Sequence, residues 1–317
     1  MREAWVITDG AAGNERQALA LAQALDAPAR VLRLPLRAPW AWLAPRKLPG
    51  GRLALSARDR VQFAPPWPAL AIGCGRHASL LTRLLRELSH GNTFSVQILD
   101  PRMDPRHWDA VIAPRHDDLH GDNVIETTGS LNPIDDDWLT QGREAFTDFA
   151  RLPQPRIALL LGGPRRGVAF DEAYARALAD GVAARAKGGS VLASVSRRTP
   201  QAVARMLREK LAHLPGVFWS GEGDGPNPYP GLLGWADAIV VTPDSVNMLS
   251  EAAAVGVPVH APAAAPLPDK LARFHAALRQ RGSLQDLDAQ AARVATPLRE
   301  TARVAAQLKE WMASRTA

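Results

Sequence analysis

Short apolar runs alternate with longer helix-forming stretches along the whole chain. Residues 4–8 (Ala-Trp-Val-Ile-Thr) predict a strand, the segment from Asp9 to Asn14 a turn, and 15–25, rich in Ala, Leu, Glu and Gln, a helix. Residues 29–34 predict a second strand. Residues 70–72 lead into Gly73-Cys74-Gly75, 77–89 predict a helix, and 94–99, 109–113 and 124–127 further strands. This βαβ alternation predicts an α/β fold whose mostly parallel sheet is covered on both faces. The two prolines of Leu152-Pro153-Gln154-Pro155 disfavour helix and predict a linker. The pattern then restarts, with strands at 156–161, 190–195, 217–219, 238–241 and 257–260 and helices at 170–187, 200–212 and 245–255. Residues 221–231 read as a Gly/Pro-rich loop, and 289–314 as a closing amphipathic helix. The expected organisation is one α/β domain over 1–152, a second over 153–288, and a helix in 289–317 that packs back on the first. Ligands of such sheets bind at the carboxyl ends of the strands, so the strand-to-helix turns are where chemistry is sought.

Composition narrows the class. A 46% hydrophobic and 22% charged chain of 317 residues folds, and its length suits two domains. The single cysteine, Cys74, excludes an internal disulfide framework and a cysteine-only zinc site. No apolar run is long enough to span a bilayer, and the start, Met1-Arg2-Glu3-Ala4-Trp5, runs into a strand without a signal-peptide core, so a soluble cytoplasmic protein is expected. The net charge of +6 suggests a nucleic-acid partner. However, 33 of the 38 basic residues are Arg, which in so Ala-rich a chain also fits GC-rich codons, and residues 1–60 alone carry +5. A locally basic face is the better reading, and no nucleic acid is expected.

The most informative turn follows the strand ending at Val241. Asp244 or Ser245 can cap the next helix, whose first N–H groups suit a pyrophosphate. Glu251 shares a helix face with Asn247 and can accept two hydrogen bonds from a ribose diol. The same residues also suit an ordinary capped helix with a solvent-facing Glu. Gly162-Gly163 would let backbone approach a phosphate, or simply form a tight turn. Arg165 and Arg166, with Ser196-Arg197-Arg198-Thr199 after the next strand, could neutralise a diphosphate. Asp9-Gly10-Ala11-Ala12-Gly13-Asn14 is neither a Rossmann fingerprint nor a P-loop. A sugar-nucleotide epimerase fits poorly, because that fingerprint is missing and neither Tyr174 nor Tyr229 has a Lys four residues on.

The segment from Thr242 through Asp244, Ser245, Asn247, Met248 and Glu251 resembles the nucleotide-sugar element of GT-B glycosyltransferases. Five further motifs occur with it, in order: Asp9-Gly10-x-x-Gly13 with Gln17, Gly73-Cys74-Gly75-Arg76, Gln97-Ile98-Leu99-Asp100-Pro101-Arg102, Leu161-Gly162-Gly163-Pro164 and Gly221-Glu222-Gly223-x-x-Asn227-Pro228-Tyr229. Together they resemble the mitochondrial fission ELM family, which has many bacterial members, over residues 4–282. The resemblance implies a GT-B fold, two Rossmann-like domains facing each other across a cleft. It implies that Thr242, Asp244, Ser245, Asn247 and Met248 lie on donor phosphate and Glu251 on ribose, with Gly162, Gly163, Arg165, Ser196 and Arg197 completing the donor side. Trp219 would lie at the nucleobase, or else be plain core. Gly10, Gly13, Gly75 and Arg76 would face acceptor and phosphates. Asp9 and Asp100 are the candidate general bases for an inverting transfer, although either could merely cap a turn.

The implied activity is a metal-independent glycosyltransferase using a nucleotide-diphosphate sugar, with no separate cofactor. The alternative is a non-catalytic GT-B-like scaffold, as the fission role of the plant relatives implies. His77, His116 and His120 show no metal-ligand spacing, and Cys74 reads as a small buried residue. Trp40 and Trp42 sit among Arg33, Arg37, Arg46 and Lys47, a pattern suited to an anionic headgroup layer. The same segment could instead be an irregular loop tucked on the first domain. On the membrane reading the protein is peripheral to the inner membrane and its acceptor a lipid-linked or cell-envelope saccharide.

Overall fold

The computed structural model describes residues 3–288 and 296–316. The chain forms two compact units, one of residues 1–133 with 300–317, the other of residues 134–299. The first unit contains β1 (Ala4–Thr8), α1 (Ala12–Ala24), β2 (Ala29–Arg33), α2 (Trp40–Leu43), α3 (Ala57–Gln62), β3 (Leu70–Cys74), α4 (Arg76–Leu88), β4 (Phe94–Ile98), β5 (Ala110–Pro114) and β6 (Val124–Thr127). The second contains α5 (Asp136–Ala145), β7 (Arg156–Leu161), α6 (Glu172–Ala186), β8 (Ser190–Val195), α7 (Gln201–Leu211), β9 (Gly216–Trp219), α8 (Tyr229–Trp235), β10 (Ala238–Val241), α9 (Val246–Ala253), β11 (Val259–His260) and α10 (Asp269–Gln280). Helix α11 (Glu300–Thr316) returns to the first unit. Residues 289–295 of the expected closing helix lie outside the described residues.

Among the described residues all pairings between the named strands are parallel. The first sheet has the order β2-β1-β3-β4-β5-β6 and the second β11-β10-β7-β8-β9. The central strands β1, β3, β4, β7 and β8 are buried at every position, whereas the edge strands β2 and β9 are partly open. Strand alternation sends successive side chains into separate layers. Ala4 and Val6 pack with Leu21 of α1 and Val304 and Leu308 of α11, while Trp5 and Ile7 pack with Leu80, Leu81 and Leu84 of α4. In the second unit Ile157, Leu159 and Leu161 meet α6 and α7, while Ala158 and Leu160 meet α9 and α10. The fold is thus α/β with two parallel sheets, each covered on both faces.

The expected boundary at 152/153 differs from the observed one. Helix α5 packs on α8, and Gly142 of α5 lies so close to Pro230 that an added Cβ would stand 2.7 Å from its carbonyl carbon. Phe146 stacks on Phe149, and that pair joins Leu192 and Leu232. The Pro153-Pro155 segment is therefore a lead-in to β7, where Ser190 N–H and Oγ–H donate to Pro155 O at 3.0 Å and Pro153 O at 2.8 Å. In the first unit α11 is fastened by Glu300, which accepts from Thr128 N–H (2.8 Å), and by Thr301, whose hydroxyl donates to Asn132 O (2.7 Å). No helix among the described residues is long and apolar enough to cross a membrane.

Candidate functional site

In the second sheet the chain order reverses between β7 and β10, the position where open α/β sheets form a crevice at their carboxyl edge. The turns leaving these strands meet there. Thr242 is fully buried. Its Oγ1 accepts from Gly162 N–H (2.7 Å) and donates to Asp244 Oδ1 (2.7 Å). Asp244 Oδ2 accepts from Gly163 N–H (3.2 Å) and from Arg198 Nη2 (2.6 Å). Arg165 Nη1 donates to the Asp244 carbonyl at 2.7 Å. Thr199 Oγ1 donates to the Gly162 carbonyl and accepts from Ser196 N–H (3.1 Å), which draws the 196–199 turn onto the β7 turn.

These contacts give Gly162 and Gly163 their reason. A Cβ on Gly162 would lie 2.6 Å from Asp244 Cγ, and one on Gly163 2.6 Å from the Arg198 carbonyl carbon. The glycines admit the buried carboxylate and the neighbouring turn. Ser245, not Asp244, caps α9, its Oγ accepting from Met248 N–H (3.3 Å). Val246 and Asn247 head the helix, and their N–H groups have no hydrogen-bond partner among the described residues. A cap, a helix amino end and two arginines at one strand edge can hold an anion, provided Arg198 keeps the Asp244 charge neutralised.

Glu251, two turns into α9, is 2% exposed and accepts from Tyr229 Oη–H at 2.5 Å. The solvent-facing alternative for Glu251 is thereby overturned: α9 buries this face and α8 supplies the phenol that satisfies it. Behind the same turn, His275 of α10 is 2% exposed and donates from Nε2 to Pro243 O (3.1 Å). Burial pushes its pKa down to about 4, so the imidazole stays neutral at pH 7. Tyr174 donates to Pro262 O (3.1 Å), and burial, with the Asp244 charge adding to it, pushes its pKa up.

Trp219 is half-buried on the edge strand β9, and its indole N–H donates to Gly225 O (3.0 Å), so it is not plain core. Nearby, Arg208 and Ser220 hold the Asp224 carboxyl down to about 2. Arg166 and Arg197 are exposed.

The first sheet reverses order between β1 and β3, and the first-unit candidates lie in the turns after those strands. Gly10 and Gly75 both have φ of +86°, which requires glycine without strain. Gly75 is the cap residue of α4, and Asn14 lies against it. Two expectations change, and one keeps the alternative reading in view. Gly13 belongs to the first turn of α1, which starts at Ala12, earlier than the pattern placed it. Arg76 points away from a phosphate role, because its guanidinium donates to Ala41 O (3.0 Å) and Trp42 O (3.2 Å). Asp9 and Asp100 both close turns, accepting from Ala11 N–H (3.0 Å) and Arg102 N–H (2.6 Å). Cys74 is fully buried and burial pushes its thiol pKa up, which removes it as a nucleophile.

Sequence reasoning passed over Tyr229 as a site residue and His275 altogether. Tyr229 lies in the Gly221–Tyr229 motif, but its partner is 22 residues away. His275 sits on α10, a helix the pattern left unassigned.

The profile of a family described as Mitochondrial fission ELM1 matches residues 12–312. The chain is 34% identical over 286 residues to the Mitochondrial fission protein ELM1 of Arabidopsis thaliana, covering 81% of this chain and 66% of that protein. An uncharacterized protein of Rickettsia prowazekii (strain Madrid E) is 27% identical over 300 residues, covering 81% and 82% of the two chains. Among solved structures, a UDP-GlcNAc 2-epimerase from Methanocaldococcus jannaschii superposes with a TM-score of 0.52 at 10% identity, covering 98% of this chain and 100% of that one. The S. aureus MnaA–UDP co-structure gives 0.51 at 11% identity, with 98% and 88% covered. A UDP-GlcNAc 2-epimerase from Neisseria meningitidis bound to UDP-GlcNAc gives 0.50 at 12% identity, with 98% and 93% covered. At these identities the likeness concerns the fold, which is GT-B-like. Epimerases share it, so the missing dinucleotide fingerprint does not separate this chain from every sugar-nucleotide epimerase fold.

Proposed function

The chain belongs to the mitochondrial fission ELM1 family, and from that premise we propose that its second unit binds the nucleoside diphosphate of a nucleotide sugar. One observation carries the reading. At the order reversal of the second sheet, a Ser-capped helix that carries a buried glutamate and two arginine-bearing turns come from three separate chain segments to one carboxyl edge. The diphosphate would lie over Val246 and Asn247 with Arg165 and Arg198 beside it, and the ribose would meet Glu251. Solved proteins of the same fold carry UDP or UDP-GlcNAc, which supports the ligand class.

The activity this reading favours is metal-independent transfer of the sugar. A second reading, a binding or scaffold protein without chemistry, draws support from Asp9 and Asp100, because each has a turn-closing contact that accounts for it without a catalytic role. Thermal-shift titration with UDP, GDP, ADP and CMP tests the binding. At least one nucleotide raises the melting temperature of the wild type, and Glu251→Ala removes the rise. No shift with any nucleotide refutes the proposal. Release of free nucleoside diphosphate from a nucleotide sugar then separates an enzyme from a scaffold.

A further inference from the structure

Among the described residues the exposed large hydrophobic side chains are Trp42 (74%), Leu43 (40%), Leu53 (50%) and Val61 (78%). All four fall between residues 42 and 61 of the first unit. Trp42 and Leu43 end α2, and Leu53 lies on the 3-10 turn Gly51–Ala54, which α2 touches. The segment is not loose. Trp40, two residues earlier, packs inward on the cluster of Leu55, Phe63 and Ala71, and Arg37 N–H donates to Ala54 O at 2.8 Å. Arg76 clamps the carbonyls of Ala41 and Trp42. The fold thus packs one indole partly inward and holds the other out in solvent beside Leu43, with Leu53 on the turn that α2 touches, which groups apolar tips on one part of the surface.

The charge along this segment is mostly positive. Arg37, Arg46, Arg52 and Arg58 are exposed, and Lys47 is engaged by Glu87. Asp59 is the single acid between residues 37 and 61, and its carboxylate accepts from Ser56 Oγ–H at 2.6 Å. We propose that this segment is a docking surface for an anionic lipid bilayer, with Trp42 and Leu43 entering the headgroup boundary and the arginines meeting lipid phosphates. A folded protein partner would need a continuous, well-packed area of about 800 Å² on this side. Separate apolar tips interspersed along the chain with exposed arginines suit instead a headgroup layer that deforms around them. Helix α2 has only four residues, so the mode is tip insertion and not an amphipathic helix lying in the plane. The proposal is independent of the nucleotide reading, since it concerns another unit and other residues.

Vesicle flotation of the full chain tests it, with phosphatidylcholine vesicles with and without phosphatidylglycerol. The wild type floats with anionic vesicles at low salt, stays down with phosphatidylcholine alone, and is released as salt rises. Arg46→Gln/Arg52→Gln lowers partitioning roughly thirtyfold, at roughly fivefold per charge. Trp42→Ala/Leu43→Ala abolishes flotation at physiological salt while the circular dichroism spectrum and melting temperature match the wild type. Failure of the wild type to float with anionic vesicles at low salt overturns the proposal, as a purely protein or RNA partner would produce. Equal flotation of the Trp42→Ala/Leu43→Ala variant, or equal capture by phosphatidylcholine alone, overturns it too.

Discussion

Replacing Gly162 by alanine is the most discriminating perturbation of the candidate site. The added methyl would overlap both carboxylate oxygens of Asp244 and stand 2.6 Å from its Cγ. Asp244 is 1% exposed, so the methyl finds no solvent to displace, and the carboxylate must leave its place. It then loses Thr242 Oγ1, Gly163 N–H and Arg198 together. A hydrogen bond to a charged group contributes about 1.5–3 kcal/mol, but Arg198 is half exposed and its share is screened by water. With about 1–3 kcal/mol of overpacking, the expected cost is about 3–5 kcal/mol. At 2–4 °C per kcal/mol, that lowers the melting temperature by roughly 10 °C. A double-mutant cycle isolates the cause. Asp244→Ala removes the very atoms the methyl meets, so Gly162→Ala costs under about 1.5 kcal/mol in that background and the coupling exceeds about 1.5 kcal/mol. Urea unfolding of the four proteins measures it. Additive costs would refute the packing argument and leave Gly162 with a backbone role only.

Three further outcomes follow from the same contacts. His275 folds neutral with a pKa of about 4, against 6.5 unfolded, so the unfolded state takes up the proton first as pH falls. Stability therefore declines between pH 6.5 and 4, by up to about 3 kcal/mol from this group. His275→Gln flattens that slope in urea unfolding at pH 7, 6 and 5, and an unchanged slope contradicts the assignment. Tyr229→Phe takes a donor from the buried Glu251 carboxylate and costs about 1–3 kcal/mol, read as a lower melting temperature; a neutral result denies the pair. Arg76→Ala frees the α2 carbonyls, so amides 41–46 exchange faster with deuterium while the remainder of the first unit is unchanged.

The sheet strands were legible because their positions are buried on both faces and read as largely apolar runs, as in Arg156–Leu161 and Ser190–Val195. The reversal of strand order was not legible, because it depends on which runs pair. Only the pairing of β7 with β10 brings Gly162 beside Thr242. The Pro153-Pro155 signal was local and true to its chemistry, yet α5 lies beyond the unit boundary because its partner, α8, is about 90 residues downstream, as Arg143 and Gly234 show. Within the site, the capping residue was legible as a choice of two. The choice fell on Ser245 because Asp244 found three donors deeper in the fold. Arg198 was indistinguishable from Arg197 in sequence; only the close fit of its turn over Gly163 selects it. Partners such as half-buried Tyr229 and buried His275 carry no local signal, since each is defined by a contact from another element.

The central claim is that the second unit holds a nucleoside diphosphate at the β7–β10 edge. Hydrogen–deuterium exchange with and without saturating nucleoside diphosphate tests it most directly. Slowed exchange confined to peptides covering residues 162–166, 196–199 and 242–251 is the predicted result. Protection that leaves these peptides unchanged, or no protection at any nucleotide concentration, would contradict it.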